Sequence, residues 1–132
     1  MCLKRVENPF PDGYLDYAIR RTVERAFLQA GVSLSCKEGA EEVEVQVVEF
    51  KDVPAGFSPF QRVNVYSLKL TFSVKFKDGE KTYATSVSYS LPSGAEGDNP
   101  RRFAVDDALN IIYPELIYNL SRRYADANKL GN

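Results

Sequence analysis

The alternation across residues 62 to 77 limits the possible folds more than any other feature. Tyr66, Leu68, Leu70, Phe72, Val74 and Phe76 take every even position, and Lys69, Thr71, Ser73, Lys75 and Lys77 take odd ones. A period of two sends the two sets to opposite faces, so the stretch is a long strand with one buried face. Asp78 and Gly79 follow, a pair that tolerates positive φ and signals a hairpin turn. With those two as the loop, Lys77 pairs with Glu80, and Val74, Phe72, Leu70, Leu68 and Tyr66 face Tyr83, Thr85, Val87, Tyr89 and Leu91. The apolar faces coincide. A slip of one residue would turn Val87, Tyr89 and Leu91 to the polar side.

A sheet with one greasy face needs a covering layer. Two segments can supply it. From Asp12 to Gly31, Leu15, Ala18, Ile19, Val23, Ala26, Phe27 and Ala30 recur at three- and four-residue steps, with Asp12 as cap and Gly31 as stop. Asp16, Arg20, Arg21, Glu24 and Arg25 form its solvated face. A second helix starts at Asn99-Pro100, a cap followed by proline at the first helical position. It buries Phe103 or Ala104, then Ala108, Leu109, Ile112, Leu116, Leu120 and Tyr124, with Val105, Ile111 and Ile117 widening the stripe. Pro114 inside it removes the bond to the Asn110 carbonyl and is expected to kink or divide it. From Asp126 the periodicity fades, and residues 126–132 are expected to fray.

Between these helices, Glu42 to Asp52 alternates at Val43, Val45 and Val47 and then slips phase at Val48, which predicts a strand with a bulge or an early end. The stretch Pro54-Ala55-Gly56-Phe57-Ser58-Pro59 has the composition of a loop. The expected architecture is therefore a single α+β domain over residues 1–132: two layers, a roughly four-stranded and mainly antiparallel sheet, and two helices packed on one face. Phe57, Phe60 and Tyr66 around the proline loop exceed what a short loop buries, so they either fold over the sheet edge or contact a partner.

Composition removes several chemistries. The 132 residues contain no histidine, which eliminates hydrolase triads, His-based zinc sites and Cys-His pairs. Lys plus Arg (17) nearly balances Asp plus Glu (18), so nothing draws the whole chain to nucleic acid or an anionic membrane. Any anion site must be local. Two cysteines are too few for a disulfide framework, and Cys36 is expected to be an ordinary half-buried thiol. Asp106-Asp107 with Glu115, and Glu38, Glu41, Glu42 and Glu44, read as solvated charges, because neighbouring helical side chains diverge and no His or Cys completes a metal shell. No residue is assigned a catalytic role, and no cofactor or metal is expected.

The arginines at element ends are the candidate binding groups. Arg62 stands at the mouth of the long strand, and Arg101 and Arg102 lie in the first turn of the last helix, against the macrodipole. On charge alone, plain solvation is the favoured reading of them. Arg122 and Arg123, at the far end of that helix, are already favoured by its dipole.

The order of landmarks resembles the LPS-assembly lipoprotein family (LptE, formerly RlpB). The resemblance rests on Val6-Glu7-Asn8 closing a first strand, Ala30-Gly31-Val32 after the first helix, Gly39-Ala40 before a Val-rich strand, and Arg62 through Tyr66-Ser67-Leu68. It continues through Asp78-Gly79, Val87-Ser88-Tyr89-Ser90, and Ala108 through Leu116 to Leu120-Ser121-Arg122-Arg123. It implies a non-enzymatic periplasmic component at the outer membrane that binds lipopolysaccharide and plugs the β-barrel protein LptD. By the same resemblance, Arg62, Arg101 and Arg102 bind LPS, and Phe57 and Phe60 contact the partner. Membrane attachment through a lipid anchor is expected if the native N-terminus carries one. Where the family has a spacer after its lipidated cysteine, Cys2 runs straight into Leu3-Lys4-Arg5, so Cys2 is not expected to be the anchor. The alternative is an auxiliary lipoprotein of another envelope transporter or of a cell-wall synthase.

Overall fold

The computed structural model describes residues 1–57, 63–90 and 99–130. The elements follow in the order β1 (Cys2–Glu7), α1 (Gly13–Gln29), β2 (Glu42–Phe57), β3 (Val63–Phe76), β4 (Gly79–Ser90) and α2 (Asn99–Leu130). The strands form one sheet in the order β1-β2-β3-β4. β1 runs parallel to β2, as a pair joined through a crossover helix can, and the other two pairings are antiparallel. The fold is the expected two-layer α+β arrangement. Its core is Leu3, Val43, Val45, Val47, Phe50, Leu68, Leu70, Phe72, Val74 and Tyr83 from the sheet, against the apolar stripes of α1 and α2.

α1 forms where its signals lie. Asp12 caps it by accepting from the Leu15 N–H at 3.1 Å. At the other end, the Gly31 N–H donates to the Leu28 carbonyl and that of Val32 to the Phe27 carbonyl, with Gly31 at φ +85. That pairing is a Schellman ending, and it requires the left-handed residue that glycine supplies. The buried face is Leu15, Ala18, Ile19, Val23, Ala26 and Phe27.

The hairpin departs from the expected register by two residues. Lys77 and Asp78 form the turn, Phe76 pairs with Gly79, and Phe72, Leu70, Leu68 and Tyr66 face Tyr83, Thr85, Val87 and Tyr89. A two-residue shift keeps every side chain on its face, so facial matching cannot detect it. The observed register brings the Phe72 and Tyr83 rings to 5.7 Å and stacks Tyr66 on Tyr89 at 5.6 Å. Cross-strand aromatic pairs of this kind each contribute a few tenths to about 1 kcal/mol, and the expected register would have paired those tyrosines with Val74 and Leu68.

The loop expected from Pro54 and the apolar stripe expected on α2 need correction. β2 does bulge at Val48, between Val47 and Glu49, but it then continues through the supposed loop to Phe57. β1 pairs with β2 only as far as Gln46, so Pro54 lies on an edge, where a missing N–H costs little. α2 is not divided at Pro114, one of the two expected outcomes there, and is helical from Asn99 to Leu130. Asn110 and Pro114 are both exposed, so the freed carbonyl can turn to water. Within that helix Ala104 is the buried residue, whereas Phe103 and Ile111 face solvent.

Cys36 is not a free thiol. It forms a disulfide with Cys2, 34 residues away. Hydrogen bonds of 2.8 Å hold the same junction: the Met1 amine to the Ser33 carbonyl, the Ser35 N–H to the Met1 carbonyl, and the Cys2 N–H to the Glu41 carbonyl. Two cysteines were too few to suggest a framework, but one bridge suffices to fasten β1 to the segment that enters β2. A sulfur so engaged carries no thioether lipid, in agreement with the expectation that Cys2 is not the anchor.

Candidate functional site

The starts of α1 and α2 meet at one corner of the molecule, beside the Pro54 end of β2 and the Ser90 end of β4. Arg101, in the first turn of α2, joins α1 to β2. Its Nη1 lies 3.3 Å from Asp12, the α1 cap, and its Nε lies 3.1 Å from Asp52 on β2. The Nε–H is not aimed at Asp52, so that contact is an ion pair rather than a hydrogen bond. The guanidinium also rests 4.8 Å above the Phe50 ring. Asp52 is in turn fixed by the Tyr89 hydroxyl, which donates to it at 2.7 Å. Burial and that carboxylate hold the Tyr89 phenol well above its ordinary range. The position of Arg101 against the helix dipole therefore has a structural cause: two carboxylates compensate it.

Arg102 is placed differently. It is exposed, its guanidinium lies 5.2 Å over the Tyr14 ring, and among the described residues it has no carboxylate partner. Tyr14 donates to Asp106 at 2.6 Å, and that bond, foremost, raises its pKa. Pro11, Asp12, Gly13, Tyr14, Val105 and the two arginines line a cleft of about 290 Å³. Phe103, 67% exposed, follows directly in sequence. The corner thus offers an available guanidinium with a compensated one behind it. Such a pair can take a phosphate.

Of the other expected site residues, Arg62 and Phe60 lie outside the described residues. Phe57 closes β2 opposite Val63. A network at the opposite end had no clear sequence signal. There Arg123 contacts Glu41 at 3.0 Å and Asp78 at 2.6 Å and lies 4.1 Å over Phe76, while Tyr124 donates to Glu41 at 2.8 Å. The favourable dipole had already explained Arg123, so nothing marked it as a cross-link between the turn, the β2 entrance and α2.

The fold has a counterpart among solved structures. The fold matches that of a minor lipoprotein from Acinetobacter baumannii with a TM-score of 0.55, at 17% identity, over 89% of this chain and 91% of that one. A looser likeness, with a TM-score of 0.40 at 9% identity, extends to rare lipoprotein B from Shewanella oneidensis over 99% of this chain and 98% of that one. By sequence, the chain belongs to the same family as an uncharacterized protein of Aquifex aeolicus (strain VF5). The two are 37% identical over 124 residues, spanning 94% of this chain and 86% of the relative. No family model matches the chain.

Proposed function

We propose that this protein is a non-enzymatic component of lipopolysaccharide transport at the periplasmic face of the outer membrane, binding LPS and plugging an LptD-like β-barrel. The observation that carries the reading is the corner cleft, where the exposed Arg102 stands beside the fixed Arg101. Lipid A carries phosphates, and a guanidinium complements them through charge-assisted hydrogen bonds. The Acinetobacter neighbour, a lipoprotein by name, supports an envelope setting. So does the Cys2–Cys36 disulfide, because such bonds persist in oxidising compartments such as the periplasm.

In this reading Arg62 and Arg102 contact phosphate directly, and Arg101 supports the cleft while contributing charge. Phe57 and Phe60 meet the barrel. Binding of purified LPS should weaken about tenfold in Arg102→Ala and in Arg62→Ala, the loss of one charge-assisted contact each. An LptD-like barrel should co-purify with the tagged protein from its native envelope. Full LPS affinity in both variants would remove the site, and absence of any barrel from the purified material would remove the plug.

A further inference from the structure

The two edges of the sheet differ in how far they are protected. The β1 edge is six residues long, shifts register between Leu3 and Arg5, and carries Lys4, Arg5 and Glu7. Short, irregular, charged edges resist pairing with other chains. The β4 edge is longer and regular, and its only charges, Glu80 and Lys81, sit together at one end. It pairs with β3 without a shift along all 12 residues and contains no proline. Among the described residues no strand lies beyond it. In an antiparallel pair every second residue turns its N–H and C=O away from its neighbour, so half of the β4 backbone groups face outward.

From this we infer that β4 is a self-association edge, and that its partner is the β4 strand of a second copy, joined antiparallel about a two-fold axis near Thr85. The sequence of β4 is self-complementary in that arrangement. Its two charges, Glu80 and Lys81, sit at one end, so antiparallel pairing sets them against Ser90 and Tyr89 of the second copy and never against each other. Tyr83 and Val87 then face one another across the axis on the covered side, and Ala84 faces Ser86 on the open side. Tyr83 is buried within one chain, but Thr85, Val87 and Tyr89 are only half-buried, which is the apolar margin a second sheet would close over. After Glu80 at its start, the open face at this edge carries Thr82, Ala84, Ser86, Ser88 and Ser90, small side chains that obstruct no incoming strand. The product is an eight-stranded sheet with one isologous interface, a closed dimer rather than a fibre.

Sedimentation of the intact protein over a concentration series tests this. The wild type should shift from 14.8 kDa to twice that mass, with a midpoint in the micromolar range. Ser86→Lys places like charges beside the axis at an exposed position and should remain at one chain's mass, with unchanged circular dichroism. Ala84→Lys, equally exposed, gives the same reading where Ser86→Lys fails to fold. A wild type that stays monomeric throughout the series, or folded lysine variants that dimerise as the wild type does, would overturn the inference.

Discussion

Arg101 couples the α1 cap, the second strand and the last helix through one guanidinium. Its side chain is 34% exposed, so solvent screens its ion pairs and each contributes well below the value of a buried pair. Losing both, together with the contact to Phe50, should cost about 1–3 kcal/mol of stability in Arg101→Ala, measured by urea unfolding. A cycle with Asp52→Asn should show coupling of about 0.5–1.5 kcal/mol. Strictly additive effects would mean the pair is not coupled. Arg102→Ala, by contrast, removes an exposed side chain and should change stability by no more than about 0.5 kcal/mol. Loss of binding in that variant therefore cannot be attributed to unfolding. Asp78 makes a related point at the far end: the hydrogen bond from Arg123, foremost, and its charge lower the carboxyl pKa below 3.8. A depressed folded-state pKa contributes stability above the unfolded value, and that contribution is lost as pH falls through the folded one. Asp78→Asn should therefore flatten the acid limb of the stability curve, and an unaltered limb would show that Arg123 does not hold this carboxylate.

Among the elements, β1 depends most on a covalent constraint. It has six residues, one ladder neighbour and a register shift. The bridge from Cys2 to Cys36 closes a 34-residue loop, a constraint on the unfolded chain of about 3–4 kcal/mol. Reductant should lower the unfolding midpoint accordingly, and Cys36→Ser should lower it equally without reductant. A midpoint indifferent to reductant would show that the bridge adds nothing to the hydrogen bonds at that junction. α2 carries an opposite burden at Pro114. Since Asn110 and Pro114 are exposed and the helix is unbroken, Pro114→Ala restores a backbone bond without disturbing packing and should stabilise by about 1–3 kcal/mol. The sequence was most legible where periodicity is a direct consequence of burial. The α1 stripe, the β3 alternation and the Val48 bulge all follow from which side chains must leave water. It was least legible where geometry between elements decides. The hairpin register rests on two aromatic pairings that facial matching treats as equal to their neighbours. The bridge joins cysteines 34 residues apart, whose proximity exists only after β1 has paired with β2. At the corner, the sequence placed Arg101 and Arg102 at one helix entry, but the ion pairs that set them apart come from Asp12 and Asp52 on other elements.

At the scale of the whole molecule, tyrosine hydroxyls tie elements distant in sequence to one another and set the pH range of the fold. Tyr14 on α1 donates to Asp106 on α2, Tyr89 on β4 to Asp52 on β2, and Tyr124 on α2 to Glu41, while Tyr83 on β4 accepts from Asn119 on α2. All four have pKa values raised above 10.0, Tyr83, Tyr89 and Tyr124 chiefly by burial and Tyr14 chiefly by its bond to Asp106. A group whose folded pKa is raised contributes stability that is complete below the unfolded value and disappears as pH climbs toward the folded one. With no histidine in the chain, no side chain has its ordinary pKa in the neutral range. Stability should therefore be nearly flat across neutrality and fall once pH exceeds 10.0, the ordinary phenol value. Spectrophotometric titration should show Tyr14, Tyr83, Tyr89 and Tyr124 ionising only in the cooperative step in which circular dichroism is lost. Ionisation of these four while the fold persisted would show that their hydroxyl bridges are not holding it.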